Sequence, residues 1–298
     1  MTRPPRRIDH LVLAVHDLEY AADFYTRMGF QVGARNRHPW GTENRLIQFR
    51  SSFLELISVA DAGQIPPHAH GFFSFGAFVE DYLTRREGLA MLALDSFDAA
   101  ADAAQFAREG IAEFQPFSFE RTGRQPDGTQ THVAFSLAFA RDDRLPDAVF
   151  FACQQHYPEA FWNPLLQRHP NRASSTAAVT LDVESPEDHA RFLRAFTGAP
   201  PSEDGRHYRL GNGGQLAVQT RSVASGFTGF SIGVADLDLV AQRLTAEHVP
   251  FQTHPGRLSI EADHCFGTRV DFTTVAEHYG PDLTASTRPS RPNARERP

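Results

Sequence analysis

The sequence contains no lysine, and each of its 29 basic residues is an arginine. This absence excludes functions that need a side-chain amine, namely Schiff-base catalysis, pyridoxal-phosphate chemistry and a P-loop nucleotide site. Arginine can still recognise a carboxylate through its fork of N–H donors, but it is too basic to accept a proton readily.

Cysteine is nearly absent as well. The two cysteines, Cys153 and Cys265, are far apart and lack CxxC spacing, so neither a disulfide framework nor a structural zinc site is expected. No apolar run has the length of a signal peptide core or a membrane span. A net charge of −7 with a pI near 6.0 gives no basic field for nucleic acid. We expect a cytoplasmic protein with neither a membrane nor a nucleic acid as partner.

Apolar residues are plentiful. They make up 41% of the 298 residues and include 25 phenylalanines. This content is ample for packed cores, and large aromatic side chains also line cavities that bind flat or apolar ligands. The length favours two domains of about 150 residues each.

One pattern recurs four times: a short apolar strand, an amphipathic helix, then further strands. In the first copy the strand spans 8–15 and the helix spans 17–30, with Gly29 near its end. Further strands are predicted over 31–38, 44–50 and 53–60. The other copies begin at residues 89, 177 and 229, with helices over 97–110, 186–198 and 236–248. Four copies, the third shortened, indicate tandem duplication of a βαβββ unit.

The repeat predicts an α+β fold and sets the domain boundaries. The units pair into two domains joined by a polar, proline-containing linker, and the last residues lack apolar periodicity. The predicted parts are a first domain over 1–162 with units 8–60 and 89–156, a linker over 163–176, a second domain over 177–279 and a disordered tail over 280–298.

Four paired βαβββ units resemble the vicinal-oxygen-chelate superfamily, and in particular its glyoxalase-like domain family. The motifs that carry the resemblance are IDHLVLAVHDLEYAADFYTRMGF, RHPWGTENRLIQF, SFLELISVAD and FFACQQHYPEAFWNPLLQRHPN. The match covers 8–61 and 89–172, whereas over 177–276 it lies in the architecture. The resemblance implies two glyoxalase/bleomycin-resistance/dioxygenase-like domains that curl into cups, a divalent ion in a cup, and often a homodimer. It implies His10 and Glu55 as metal ligands.

The residues themselves support a metal site at this position. His10 shares a strand face with Val12, and Glu55 lies within the apolar strand FLELISV. A carboxylate in such a strand is costly to bury without compensation, and imidazole with carboxylate suits Fe, Mn, Ni, Co or Zn. The alternative is that Glu55 pairs with an arginine and His10 is a hydrogen-bonded core histidine.

A further ligand is expected on the last strand of the second unit, because Leu89 and Met91 offer none on its first strand. His156 is the preferred third ligand, with Gln154 on the same strand face. Gln155 replaces them if the register differs by one. The alternative is that His156 only bonds backbone at the end of its strand.

Other polar residues are candidates for binding or proton transfer. His38, Trp40, Thr42 and Asn44 lie in or beside a predicted hairpin loop and are expected to bind substrate. His132 is a candidate acid, base or alternate ligand, beside Glu55 as the catalytic carboxylate. Three further histidines lie in connecting segments. His68 and His70 have the spacing of a metal clip or are solvated, and the linker residue His169 is expected to be structural.

The second domain has lost the pattern. Ala178 and Gly229 occupy the positions of His10, and Asp271 matches the carboxylate without an evident companion. We therefore expect this domain to be a scaffold, a lid or a dimer surface.

These observations predict a metal-dependent lyase or isomerase acting on a small oxygenated organic molecule, with Glu55 or His132 moving a proton. Three alternatives remain. The first is an extradiol-type ring-cleaving dioxygenase, which normally requires two histidines and a glutamate. The second is a non-catalytic protein that sequesters an antibiotic or toxin in an aromatic cup. The third is a purely structural interaction module, in which His10 and Glu55 would be replaceable without loss of function.

Overall fold

The computed structural model of this protein describes residues 4–124, 130–221 and 225–275. The predicted tail over 280–298 lies outside the described residues. Of the helices in these ranges, none combines the length and apolar character needed to cross a membrane.

The first sheet has eight strands in the order β2-β3-β4-β1-β5-β8-β7-β6. Its strands are β1 (Ile8–Ala14), β2 (Asn36–Arg37), β3 (Thr42–Gln48), β4 (Phe53–Val59), β5 (Gly88–Asp95), β6 (Phe117–Arg124), β7 (Gln130–Ala140) and β8 (Val149–Gln155). Its helices are α1 (Leu18–Arg27), α2 (Phe75–Arg85), α3 (Ala99–Glu109) and the short α4 (Pro158–Phe161). The strand predicted over 31–38 is reduced to the two residues of β2.

The second sheet has seven strands in the order β10-β11-β9-β12-β15-β14-β13. Its strands are β9 (Ala173–Val183), β10 (His207–Arg209), β11 (Gln215–Thr220), β12 (Gly226–Val234), β13 (Gln252–His254), β14 (Arg257–Ile260) and β15 (Arg269–Thr274). Its helices are α5 (Pro186–Thr197) and α6 (Leu237–Ala246). This sheet is one strand smaller because the shortened third unit supplies only β9, β10 and β11.

Both sheets follow one pairing rule. The first and last strands of a unit are parallel neighbours, as in β1 with β4 and β12 with β15. The first strands of two consecutive units pair antiparallel at the centre of the sheet, as in β1 with β5 and β9 with β12. This is the paired βαβββ arrangement, so the predicted fold class is confirmed.

Helix α1 illustrates how the sequence determines the local structure. The Asp17 side chain accepts a hydrogen bond from the Tyr20 backbone N–H and caps the first turn. Leu18, Ala21 and Tyr25 recur at helical spacing and are buried. Beyond the helix, Gly29 adopts φ +92°, a conformation that favours glycine.

The two sheets share one core. Phe150 on β8 has its ring centroid 5.1 Å from that of Phe227 on β12 and 5.2 Å from that of Phe196 on α5. Leu11 and Leu13 of β1 belong to the same buried cluster. The opposite side of the first sheet is therefore left for a second cluster.

This second cluster lies on what we call the cup face, the side of the first sheet that carries Val12, Phe53 and Phe151. Helix α2 covers it through buried residues that include Phe75 and Phe78. The repeat pattern does not predict α2, because the helix is an insertion between the first and second units. The cup face is thereby enclosed.

Candidate metal centre and its cavity

A β-bulge presents His10 together with its neighbour Asp9. On β1, Ile8 pairs with Leu94 and His10 with Ala93, so Asp9 is the extra residue. His10 Nδ1 lies 2.6 Å from Asp9 Oδ1 and donates to it. Both side chains are buried, and the His10 ring stacks on Phe53 with 4.2 Å between centroids. Asp9 thus fixes the tautomer that leaves Nε2 able to accept or ligate.

Glu55 reaches the same point from β4. This strand runs parallel to β1, with Phe53 beside His10 and Glu55 beside Val12. His10 Nε2 lies 3.9 Å from Glu55 Oε2, and both side chains are almost fully buried, at 6% and 8% exposure. The structure therefore brings together the two residues that the sequence pattern selected.

The environment of Glu55 disfavours its charged form. Burial raises the pKa of Glu55, while His10, a hydrogen bond from Asn44 and the charge of Arg121 lower it in part. Asn44 Nδ2 donates to Glu55 Oε1, which leaves Oε2 towards His10. A carboxylate of this kind is stabilised by a cation placed beside it.

The predicted substrate-binding residues form a hydrogen-bonded chain behind Glu55. Thr42 Oγ1 lies 2.8 Å from His38 Nδ1, and Asn44 Nδ2 lies 3.3 Å from His38 Nε2. Burial, assisted by the charge of Arg121, lowers the pKa of His38 to about 3. His38 is therefore neutral near pH 7 and stacks on Trp40 with 4.5 Å between ring centroids.

A cavity of about 50 Å³ lies between these groups. This space holds about three to four water molecules. The wall is largely aromatic and includes His10, His38, Trp40, Asn44, Glu55, Arg121, Cys153, Phe53, Phe75, Phe119, Phe135, Phe151 and Phe161. Three of the four predicted substrate-binding residues line it, whereas Thr42 supports His38 from behind.

Arg121 is a lining residue that the sequence pattern did not identify. It lies on β6 opposite Val133, whose side chain belongs to the cup-face cluster. Its Nη1 atom is buried without a hydrogen-bond partner in the described part of the chain. Burial lowers the pKa of Arg121, and the charge of Glu55 opposes this effect. The register of the β6–β7 hairpin, which a single sequence does not define, decides that Arg121 faces the cup.

His156 is not brought to His10 and Glu55. On β8 the cup face carries Phe151 and Cys153, so alternation directs His156 to the other side. There its Nε2 atom lies 2.8 Å from Ser136 Oγ, and its backbone N–H donates to Ala134. The expectation of His156 as third ligand thus fails on strand register. Its partner on that face, Gln154, caps α3 by accepting from the Ala99 N–H.

His132 also points away from the cavity. It lies on β7 next to the cup-facing Val133, and its Nε2 atom is 3.2 Å from Glu120 Oε2. Its side chain is 42% exposed and its ring packs edge-on to Tyr157. This position gives His132 no contact through which it could act on a molecule beside Glu55.

On β8 the residues on the side of the cup face are Cys153 and Gln155, where His156 and Gln154 were expected. Asp9, His10 and Cys153 each offer a ligand atom, and these atoms lie within 4.8 Å of one another. Gln155 Nε2 donates to Asp9 Oδ2 over 2.8 Å. Burial, followed by the charge of Asp9, raises the pKa of the Cys153 thiol well above its usual value.

These residues fit a divalent cation. The imidazole nitrogen and carboxylate oxygen face each other at a distance too long for a hydrogen bond. Each is supported from behind, His10 by Asp9 and Glu55 by Asn44, as ligands of protein-bound metals usually are. Cys153 groups with Asp9 and His10 rather than with Glu55, so substrate oxygens or water would complete the coordination beside this pair.

The weaker histidine candidates have other partners. His169 uses both ring nitrogens on backbone, accepting from Gln31 N–H and lying 2.8 Å from Gln48 O. His68 accepts from the Ser74 N–H at the start of α2, and His70 is exposed. Each of these bonds is structural in character.

In the second sheet, Asp271 has companions after all. Its Oδ1 atom accepts from Ser259, and its Oδ2 atom lies 3.4 Å from Arg269 Nε and 3.7 Å from Arg257 Nη1. Arginine charges therefore neutralise the carboxylate where the first sheet would use a metal. This explains why Asp271 needs no histidine partner.

The chain resembles several solved structures in fold. A hypothetical protein from Staphylococcus aureus aligns with a TM-score of 0.67 and 14% identity, over 90% of this chain and 99% of that one. A mutant 4-hydroxymandelate synthase from Streptomyces coelicolor aligns with a TM-score of 0.61 and 14% identity, over 91% of this chain and 93% of that one. A xylose isomerase-like TIM barrel/4-hydroxyphenylpyruvate dioxygenase fusion protein aligns with a TM-score of 0.59 and 11% identity, over 96% of this chain and 51% of that one.

The sequence comparisons are more restricted. No curated protein matches the chain. The sequence model of the glyoxalase-like domain matches residues 8–197, which is more than half of the 298 residues and includes His10, Glu55 and Arg121. The chain therefore belongs to the glyoxalase-like domain family.

Proposed function

We propose that this protein is a metal-dependent lyase or isomerase acting on a small oxygenated molecule. The observation that carries the proposal is the approach of His10 Nε2 to Glu55 Oε2, 3.9 Å apart in a buried cavity. Fe, Mn, Ni, Co or Zn suits this donor pair. A divalent ion held there supplies Lewis-acid chemistry, because it polarises a substrate carbonyl and stabilises negative charge on its oxygen.

The protein's own groups supply orientation and proton transfer. Asp9 keeps the proton of His10 on Nδ1, and Asn44 holds Oε1 of Glu55. Burial raises the pKa of Glu55, and a bound cation would oppose this effect. Glu55 lines the cavity and is the carboxylate that would take a proton from the carbon next to a polarised carbonyl. The aromatic wall would keep bulk water away from the negatively charged substrate that this proton transfer leaves.

Neither the dioxygenase nor the sequestration alternative is supported as well. One observation favours a ring-cleaving dioxygenase, because a solved structure of similar fold is named as a dioxygenase fusion protein. It needs a second histidine ligand, however, and His156 and His132 both have partners outside the cavity. Sequestration of a large antibiotic would need more room than the cavity's 50 Å³ offers.

Metal analysis and proton exchange test the proposal. Protein purified anaerobically is analysed for bound elements and then titrated with each of the five metals. We expect one ion per chain and an affinity about 100-fold lower in Glu55→Ala and His10→Ala. Small α-keto and α-hydroxy compounds are then incubated with loaded protein in D₂O. Deuterium entering the carbon next to the carbonyl is measured by NMR.

A matched control separates the site from general effects of charge. Glu109→Gln removes an exposed carboxylate at the end of α3 and should change neither metal affinity nor exchange. Glu55→Gln should abolish the exchange. Absence of stoichiometric metal in the wild-type protein, or equal exchange in the wild type and Glu55→Gln, would contradict the proposal.

A further inference from the structure

Two buried hydrogen-bond donors on the cavity wall have no partner among the described residues. They are Nη1 of Arg121 and the indole Nε1 of Trp40. Both residues line the cavity that His10 and Glu55 share, and Trp40 is only 9% exposed. Buried donors are nearly always satisfied in folded proteins. Two unsatisfied donors in one small cavity therefore indicate a ligand that accepts from them.

The charge of Arg121 narrows the chemistry of that ligand. Arg121 is half-buried with its Nη1 atom fully buried, and a charge in such a place is stabilised by an anion. The nearest acid in the cavity, Glu55, is already occupied. Its Oε1 atom accepts from Asn44, and its Oε2 atom faces His10. The ion pairs within 4.0 Å in the described ranges do not include Arg121. An anion that enters with the substrate would complete the site.

Shape favours a carboxylate over a phosphate. The guanidinium fork matches the two oxygens of a planar carboxylate, and the stacked rings of His38 and Trp40 place planar groups at the cavity wall. The cavity's 50 Å³ holds about three to four water-sized groups, which favours a compact substrate. Because His38 is neutral, Arg121 is the cation available on this side of the cavity, whereas a phosphate dianion would call for more than one.

We propose that the substrate is a compact monocarboxylate, bound through its carboxylate by Arg121 and the Trp40 indole N–H, with a neighbouring carbonyl or hydroxyl oxygen directed to His10 and Glu55. This assignment of substrate class rests on the proposed function, which gives the second oxygen its role. Arg121 is then the residue that determines specificity for acids over their neutral analogues.

Intrinsic fluorescence provides the test, since the two tryptophans lie at or beside the cavity. Trp40 lines it, and Trp162 packs on the lining residues Phe53 and Phe161. Metal-free and metal-loaded protein are titrated with pyruvate and with pyruvamide, its neutral amide. We expect pyruvate to bind at least 10-fold more tightly than pyruvamide in both forms.

Variants of Arg121 and Trp40 test whether these two residues cause the preference for pyruvate over pyruvamide. Arg121→Gln should weaken pyruvate binding at least 10-fold and remove the discrimination against pyruvamide, while Arg121→Lys, which keeps the charge but loses the fork, should be intermediate. Trp40→Phe, followed by calorimetry, should weaken pyruvate binding several-fold. The control Arg209→Gln, an exposed position on β10, should match the wild type. Circular dichroism verifies folding of each variant.

The outcomes distinguish this proposal from the one on which it rests. Equal binding of pyruvate and pyruvamide by the wild type, or an unchanged preference in folded Arg121→Gln, would overturn the carboxylate assignment even if metal binds. Preference for pyruvate in a protein that binds no metal would support Arg121 as the anion-binding residue while refuting the metal-dependent function.

Discussion

Asp9 and His10 are consecutive residues on one strand, yet their side chains meet, with Asp9 Oδ1 2.6 Å from His10 Nδ1. In a regular strand they would project to opposite faces. The bulge between β1 and β5 removes that constraint, and Gln155 holds the other carboxylate oxygen. The backbone irregularity thus creates the carboxylate–imidazole pair behind the candidate metal centre.

Replacing Asp9 tests this relationship. Asp9→Asn keeps the size of the side chain but removes the negative charge that orients and polarises His10. We expect metal affinity to fall about 10- to 100-fold, measured by titration with Co²⁺ or Zn²⁺ against a competing chelator. Asp143→Asn, at a side chain that is 91% exposed, is the matched control. Equal affinity in the two variants would show that Asp9 does not support His10.

Asn44 is expected to act on metal binding through the pKa of Glu55. Its side chain donates to Glu55 Oε1 and lowers that pKa. Asn44→Ala removes the donor, so the pKa of Glu55 should rise and protons should compete with the metal up to a higher pH. The measurement is metal affinity from pH 5 to 8. We expect the midpoint of binding to move to higher pH, by about 1 unit. Unchanged midpoints would exclude this role.

Much of the fold could be predicted from local patterns. Apolar spacing distinguishes strand from helix over each repeated unit. Alternation along β1 and β4, together with the register of this one strand pair, is enough to place His10 and Glu55 on the same face of the sheet. Their meeting in the cavity follows from β1 lying directly beside β4.

What could not be predicted depends on long-range contacts. A shift of one residue on β8 directs Cys153 rather than His156 into the cup. Arg121 faces inward only because of its register with Val133 on β7. Helix α2 lies outside the repeat, and the enclosure of the cup face that it produces is a tertiary effect.

His38 makes stability depend on pH. In the folded chain burial, with the charge of Arg121, lowers the pKa of His38 from 6.5 to about 3. Between these values the unfolded chain binds a proton that the folded chain does not, so the free energy of unfolding falls as the pH falls from 6.5 towards 3. The full effect is about 1.4 kcal/mol per pH unit, and partial exposure of His38 reduces it to about half.

Urea denaturation of the wild type and His38→Gln at pH 7.5, 6.5, 5.5 and 5.0 measures this contribution. The wild type should lose more stability than the variant below pH 6.5, and the two curves should run parallel above it. The other side chains are the same in both proteins, so their contributions largely cancel. Parallel curves over the whole range would show that His38 takes up its proton equally in both states.

Gly29 lies just after α1, at the point where the end of this helix approaches α6. It has φ +92°, and an added Cβ would lie 2.7 Å from Arg243 Cδ and 2.9 Å from Asn171 Cβ. Arg243 Nε donates to Arg27 O over 2.9 Å, which ties α6 to the end of α1. Gly29→Ala should therefore combine backbone strain with a clash and cost about 2 to 4 kcal/mol of unfolding free energy.

Gly205→Ala separates these two contributions, since Gly205 has φ +73° but nothing within 4 Å of the added Cβ. It should cost only the strain, about 1 to 2 kcal/mol. Chemical denaturation of both variants gives the difference. A greater loss for Gly29→Ala would assign the excess to Arg243 and Asn171, whereas equal losses would mean that Arg243 moves aside freely. In that case the hydrogen bond from Arg243 to Arg27 contributes little to holding α6 against α1.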